Sequence, residues 1–245
     1  MFVPLQRRCL RLSYALYRGV HSQYLITKES NGTREITLNH EKTKNSLSLD
    51  MMTHLTEAIN SNKEDKSLRV IVLSAQGNVF SAGHNLKELV NGFAAAAGCQ
   101  LVATCDMVVC SDVSKFSTPG ANFGVFCSTP GIAVGRSLPK SRATYMLFTG
   151  EPITAQEAYE SGLVTKVVPA SELDDEVNKI IEKIKHKSRG IIALGKQFFY
   201  KQIDLGLFEA HQLGEEIMVK NINSNDGQEG IRSFVEKRKA KWNHE

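Results

Sequence analysis

At 245 residues, 42% hydrophobic and 23% charged, the chain has ordinary globular composition and enough length for one large domain with a real core. Its net charge of +4, placed partly at the two ends, is too small to argue for nucleic acid as a partner, and no apolar run nears the roughly 20 residues of a membrane-spanning helix. The five cysteines, Cys9, Cys99, Cys105, Cys110 and Cys127, form an odd set without a CxxC pair, which argues against a disulfide framework or a zinc knuckle.

The N-terminal segment MFVPLQRRCLRLSYALYRGVHS carries Arg7, Arg8, Arg11 and Arg18, with no acidic residue before Glu29 and with Leu and Tyr at helical spacing. Residues 1–22 therefore read as a mitochondrial presequence, basic and amphipathic without a long apolar segment, in preference to a disordered basic tail. The fold is expected to occupy residues 23–245.

Residues 24–27 and 35–38 read as two short strands around the Asn31-Gly32 turn. The polar loop HEKTKNSLS follows, and Ser48 or Asp50 can cap a helix whose apolar members are Met51, Leu55, Ala58 and Ile59. Leu68 to Ser74 is a β-branched run expected as a buried strand, so the order predicts a parallel βαβ unit.

Next comes FSAGHNL, Phe80 to Leu86, a small-residue turn able to present backbone N–H groups to a ligand, with Asn85 suited to cap LKEL. The run AAAAGCQLVATCD reads as a helix whose first turn is all small residues. Its free N–H groups suit a developing oxyanion, although close packing of a buried helix explains the same alanines. Cys99, Cys105 and Cys110 alternate with apolar neighbours and are expected as small, reduced, buried side chains.

An apolar run from Leu101 to Val109 leads to a turn at Thr118-Pro119-Gly120, and Cys127, Ser128 and Thr129 are expected in a loop with turn-forming roles. Ser137 to Phe148 reads as one helix ending at Gly150, Thr154 to Ala158 opens another, and Leu163 to Val168 is strand-like. From residue 169 onward the pattern is charged amphipathic helix, through Ile180 to Ile184, then Phe198 to Met218, then Gln228 to Lys239.

Taken in order, FSAGHNL, NGFAAAAGCQL, Cys105-Asp106 and FSTPGANFG, continuing through LFTGEPITAQEAYESGLVTKVVP to DGQEGIRSFVEKRKAKW, the sequence resembles the crotonase or enoyl-CoA hydratase family. The resemblance implies a crotonase-like α/β fold: a superhelix of repeated ββα turns over residues 23–168, followed by a C-terminal helical region over 169–245 and built for assembly into homo-trimers or hexamers. It also implies an acyl-CoA ligand, with no metal and no cofactor besides the CoA thioester itself.

In this family the thioester carbonyl sits between two backbone N–H groups, which by position belong to His84 and Ala97. The resemblance further implies that His84, Asn85, Leu86 and Lys87 line the CoA path. Lys42 and Lys44 are candidate partners for CoA phosphates, with solvated surface lysines as the bland alternative. Family hydratases use two glutamates because adding water requires an acid and a base on the same water. Here those positions hold Gln100 and Gly120, so efficient hydration is not expected.

Family members also separate the two oxyanion pieces by several dozen residues that include a central strand. In this chain Leu89-Val90 runs directly into Asn91-Gly92, which reads as an in-frame excision of a strand-containing segment. Three readings follow: a mitochondrial matrix acyl-CoA-binding protein of fatty-acid metabolism, a non-catalytic regulatory or assembly subunit, or a poorly folding splice product.

Overall fold

The computed structural model describes residues 22–83 and 93–245. The presequence assigned to residues 1–22 thus lies almost wholly outside the described residues.

Strands β1 (Leu25–Ser30) and β2 (Thr33–Leu38) form the expected hairpin, with Ser30 opposite Thr33 and Leu25 opposite Leu38. Asn31 and Gly32 both take positive φ, 48° and 74°, which a two-residue hairpin turn requires and which these residue types accept. Helix α1 (Leu49–Asn60) begins where the Ser48 hydroxyl accepts the Met51 N–H at 3.2 Å, and β3 (Val70–Ala75) returns parallel to β2. This is the βαβ unit the sequence predicts. Arg34, almost fully buried on β2, donates to the carbonyls of Ala58 and Ser61 and so holds the C-terminal end of α1, where cationic charge is favourable.

Beyond the 84–92 interval, β4 (Phe93–Ala95) leads into α2 (Ala97–Thr104), and β5 (Val109–Ser111) and β6 (Lys115–Ser117) follow. β4 pairs parallel with β6, which pairs antiparallel with β7 (Ile153–Thr154), while β5 pairs parallel with β8 (Lys166–Val168).

Two expectations about helices are corrected between β6 and β7. Ser128 and Thr129 are not loop residues but the first turn of α3 (Ser128–Ser137), and the helix expected from Ser137 is α4 (Lys140–Thr149), separated from α3 by Leu138-Pro139. The Ser-Thr-Pro-Gly run resembles a turn, yet proline at the third helical position gives up an N–H that has no partner within the helix. Gly150 ends α4 in the left-handed conformation, as expected.

Helix α5 (Ala155–Glu160) starts with a reciprocal capping box between Thr154 and Glu157. The C-terminal region consists of α6 (Leu173–Lys185), α7 (Arg189–Gln202), α8 (Leu207–Asn223) and α9 (Asn225–Val235). The single helix expected from Phe198 to Met218 is therefore two, broken ahead of Gly206, the N-cap of α8.

Apolar burial divides into two clusters. One gathers Leu25, Ile36, Leu38, Met51 and Leu55 around the hairpin and α1, and includes Ala97. The other gathers Cys99, Val102, Phe116, Val134, Met146 and Ile153. Phe80 packs against both, so residues 81–83, which follow it, lie at their junction. Cys99, Cys110 and Cys127 are buried free thiols, whereas Cys105, expected to be buried, is exposed as the C-cap of α2, its thiol donating to the Leu101 carbonyl.

Candidate functional site

The turn after β3 is positioned by a polar residue buried inside the preceding loop. Asn45 is fully buried in the left-handed conformation; its amide donates to the carbonyls of Gln76 at 2.9 Å and Val79 at 2.8 Å, and its carbonyl accepts the His40 N–H at 2.8 Å. The loop is also tied to the turn directly, since Ala82 donates to the Lys44 carbonyl at 3.0 Å and Leu47 donates to the Gly83 carbonyl at 2.7 Å. Loop, strand exit and turn thus form one hydrogen-bonded unit.

The start of α2 is set against this unit. Ala95 donates to the Ser81 carbonyl at 3.1 Å, and Ala96 donates to the Ser117 carbonyl at 3.0 Å. A Cβ on Gly98 would come within 2.5 Å of the Ser81 carbonyl oxygen, and one on Gly83 would lie 2.9 Å from the Ala95 oxygen and 3.2 Å from the Ala97 nitrogen. Only glycine at both positions lets the two backbones approach so closely. The structure therefore brings Gly83, the residue before His84, against Ala97.

Ala97 is buried and occupies the first position of α2, whose N–H has no partner within the helix and carries the positive end of the helix dipole. Ala96 ahead of it adopts φ 47° and ψ −113°, a conformation unusual for a residue with a Cβ. The turn and the strained cap together set the first residue of α2 beside Gly83. His84, Asn85, Leu86 and Lys87 lie outside the described residues.

The remaining candidates are spread around this junction. Lys44 is half-buried and adjacent to the turn through its carbonyl, whereas Lys42 is exposed in a 3-10 turn beside Asn39, His40 and Glu41. Gln100 sits half-buried on the first turn of α2, its N–H bonded to the Ala96 carbonyl.

Gly120 lies in a 3-10 turn (Pro119–Phe123) and donates its N–H to the Cys127 thiol at 3.3 Å. A Cβ there would stand 2.7 Å from the Cys127 sulfur and would overlap the Val125 carbonyl oxygen. Cys99, in the first turn of α2, has its thiol pushed up to about 12 by burial and by the nearby Cys127. The hydroxyls of Ser46 and Thr118 are buried without a partner among the described residues. Among the described residues there is also no group of three or more metal-ligating side chains, and no helix long and apolar enough to cross a membrane.

The enoyl-CoA hydratase/isomerase family model matches residues 28–91 and 88–245. The chain belongs to this family.

The enoyl-CoA hydratase domain-containing protein 3, mitochondrial, of Xenopus laevis is 46% identical, over 91% of this chain and 87% of that protein. The crystal structure of the human enoyl-CoA hydratase domain-containing protein 3 superposes with a TM-score of 0.86 at 44% identity, over 89% of this chain and all of that one. An enoyl-CoA hydratase from Mycobacterium smegmatis gives a TM-score of 0.85 at 36% identity, over 89% of this chain and 98% of that one. The fold is accordingly the crotonase-type α/β fold that the sequence motifs predict.

The family match comes in two blocks that meet at residues 88–91. The alignment with the frog relative runs over 257 residues, whereas 91% of 245 residues is about 223, so about 34 of its positions have no residue in this family member.

Sequence reasoning missed Asn45, Ser81 and Ala96 as architects of the site. Asn45 carries no periodic signal in a polar loop, and its role appears only once the loop folds onto the strand exit. The positive φ of Ala96 has no counterpart in residue type, because alanine favours right-handed helix.

Proposed function

We propose that this chain is a mitochondrial acyl-CoA-binding member of the enoyl-CoA hydratase/isomerase family, located in the matrix and serving fatty-acid metabolism, that has given up efficient hydration. The observation that carries this reading is the closed position 120. A hydratase needs two carboxylates, and here one position holds Gln100 while the other admits no side chain, because the Val125 carbonyl and the Cys127 thiol occupy its space.

What remains is the binding part of the machinery. The close approach of the two backbones, such that a Cβ on Gly83 would stand 3.2 Å from the Ala97 nitrogen, supports a thioester carbonyl held between the N–H groups of His84 and Ala97, with Asn85 to Lys87 and the adjacent Lys44 along the CoA path. The mitochondrial names of the relatives and the basic residues of positions 1–22 support import with a presequence. The two family blocks meeting at 88–91, and the roughly 34 unmatched positions of the frog relative, support an internal shortening of the chain. Large apolar side chains exposed on α7 and α8, among them Phe199, Leu207 and Phe208, support association into a homo-trimer or hexamer.

Calorimetric titration with a saturated acyl-CoA, paired with an absorbance assay for hydration of an unsaturated one, tests the proposal. Saturable binding without turnover is the expected result. Turnover at the rate of an active hydratase, or no binding by a folded protein, would overturn it.

A further inference from the structure

The first sheet runs in the order β1-β2-β3, and among the described residues no strand pairs with the side of β3 turned away from β2. The bonds at the two ends of β3 fix which backbone groups face that side. Val70 donates to the Gly32 carbonyl at 3.2 Å and Gln76 to the Leu38 carbonyl at 2.8 Å, so the even-numbered residues face β2. Successive residues of a strand alternate, which turns the N–H and C=O groups of Ile71, Leu73 and Ala75 to the open side.

Nothing in the composition of β3 blunts this edge. Native edge strands are guarded by charge, proline or a bulge, because a free row of backbone donors and acceptors pairs with other chains. β1, at the opposite edge of the same sheet, carries Lys28 and Glu29. β3 reads VIVLSA, with neither charge nor proline, and its register on β2 is unbroken. The β-branched run predicts a buried strand, and the structure corrects this: none of its six residues is fully buried, and Ile71 is 40% exposed. β3 has the composition of an inner strand in the place of an outer one.

A second open edge lies under the same helix. Among the described residues β5 pairs only with β8. Its Val108 neighbour accepts the Lys166 N–H at 3.2 Å and Asp112 donates to the Val168 carbonyl at 3.0 Å, which leaves the backbone groups of Val109 and Ser111 on the other side. Helix α6 packs against both β3 and β5. Glu176 ties it to Lys166 of β8 at 2.6 Å, and the residues after it are tied to the head of β3, where Arg69 donates to the Lys187 carbonyl. The apolar stripe of α6 is Val177, Ile180, Ile181 and Ile184, of which only Ile181 is fully buried. Two strands with open edges thus share one half-buried apolar helix face.

The chain also indicates what fits there. The two family blocks meet at 88–91, between β3 and β4, and about 34 positions of the frog relative have no residue in this chain. A strand parallel to β3 needs a crossover of about a dozen residues or more, and a stretch of that length supplies both crossover and strand.

We propose that the open edge of β3 is a docking site for one extended, uncharged segment of a separate polypeptide. The segment adds as a strand beside β3, its backbone pairing with Ile71, Leu73 and Ala75, and its alternate apolar side chains meeting the α6 stripe. Backbone bonds supply the affinity, and the stripe selects aliphatic residues. This docking does not depend on acyl-CoA binding, and its test uses no acyl-CoA.

The probe is a labelled synthetic peptide spanning the stretch of the frog relative that falls between the two family blocks. Titrated with the full chain and followed by fluorescence anisotropy, it is expected to bind saturably, one peptide per chain. Infrared spectra of the same peptide with ¹³C-labelled carbonyls are expected to shift to strand frequencies on binding, and a scrambled peptide to bind about tenfold more weakly. Ile71→Pro removes one N–H on the open side and no bond to β2, at an edge where proline is tolerated. It is expected to weaken binding about tenfold at unchanged far-UV circular dichroism. Two peptides N-methylated at alternate residues, one in each phase, test the same bonds with the protein unaltered, and at least one is expected to show the same loss. The proposal is overturned if the folded parent does not bind, if the scrambled peptide binds equally, if the peptide binds as a helix, or if folded Ile71→Pro or both N-methylated peptides bind as tightly as the unmodified pair. Sedimentation of the chain alone addresses the other occupant: a dimer that Ile71→Pro disperses would assign the edge to a second copy and counts equally against the proposal.

Discussion

The Cys127 thiol accepts the backbone N–H of Gly120 at 3.3 Å and stands 2.7 Å from where a Cβ of residue 120 would begin. The acidic residue missing from that position therefore cannot be replaced by one substitution, because the sulfur and the Val125 carbonyl already fill the space. Gln100→Glu combined with Gly120→Glu is expected to leave hydration of an unsaturated acyl-CoA undetectable. It is also expected to lower stability by about 1–3 kcal/mol, the usual cost of overpacking. An absorbance assay and chemical denaturation measure the two effects. A double variant that hydrates would mean that the 119–127 turn opens to admit the side chain.

Gly98 lets the first turn of α2 rest against the Ser81 carbonyl, and a Cβ there would come within 2.5 Å of that oxygen. Gly98→Ala is expected to push α2 away from the Ser81–Gly83 turn and weaken acyl-CoA binding about tenfold, equivalent to about 1.4 kcal/mol. Calorimetry reads the affinity. Unchanged binding would separate this backbone contact from the ligand site.

Ala96 is the opposite case, a residue with a Cβ where glycine would be comfortable. At φ 47° and ψ −113° it carries conformational strain of order 1 kcal/mol or more. Ala96→Gly is expected to raise the thermal midpoint, because relief of this strain outweighs the extra freedom glycine gains in the unfolded chain. A lowered midpoint would show that the Ala96 methyl contributes more through contacts than its backbone costs.

These three positions also show how far the sequence could be read. The hairpin was legible because Asn31-Gly32 supplies two residues that tolerate positive φ, and the βαβ unit because apolar spacing changes cleanly from period 2 to period 3.6. The proximity of the turn and the α2 start followed from two motifs in order. Local pattern did not reveal α3, whose Pro130 and Gly131 mimic a turn, nor the break before α8, across which apolar spacing continues. Neither Asn45 nor the Trp242–His244 segment carries a local signal, since the partners that fix the role of each include residues distant in the chain, Gln76 and Val79 for Asn45 and His186 and Asp226 for the segment.

Asn45 shows the energetic weight of such a contact. Replacing it by alanine leaves the Gln76 and Val79 carbonyls without the amide that satisfies them and puts a less tolerant residue at φ 53°. Asn45→Ala is expected to cost about 2–4 kcal/mol, from lost hydrogen bonds and stranded acceptors. The measure is a lower denaturant midpoint at unchanged slope. A loss below about 0.5 kcal/mol would mean that water replaces the amide.

Acid stability reports on the turn after α9, where Glu229 accepts both terminal nitrogens of Arg238 and the Lys241 N–H. The carboxyl of Glu229 is held at about 2, chiefly by the two hydrogen bonds from Arg238 and then by the Lys241 N–H. Because its folded value lies below the unfolded one, the unfolded chain binds more protons between about pH 4.5 and 2. The contribution of Glu229 is therefore complete above that window and lost as pH falls through it. Glu229→Gln is expected to lower the midpoint at pH 6 and to flatten its decline between pH 4.5 and 2.5, relative to the parent. Parallel curves for the two proteins would mean that Arg238 holds the turn without drawing on the Glu229 charge.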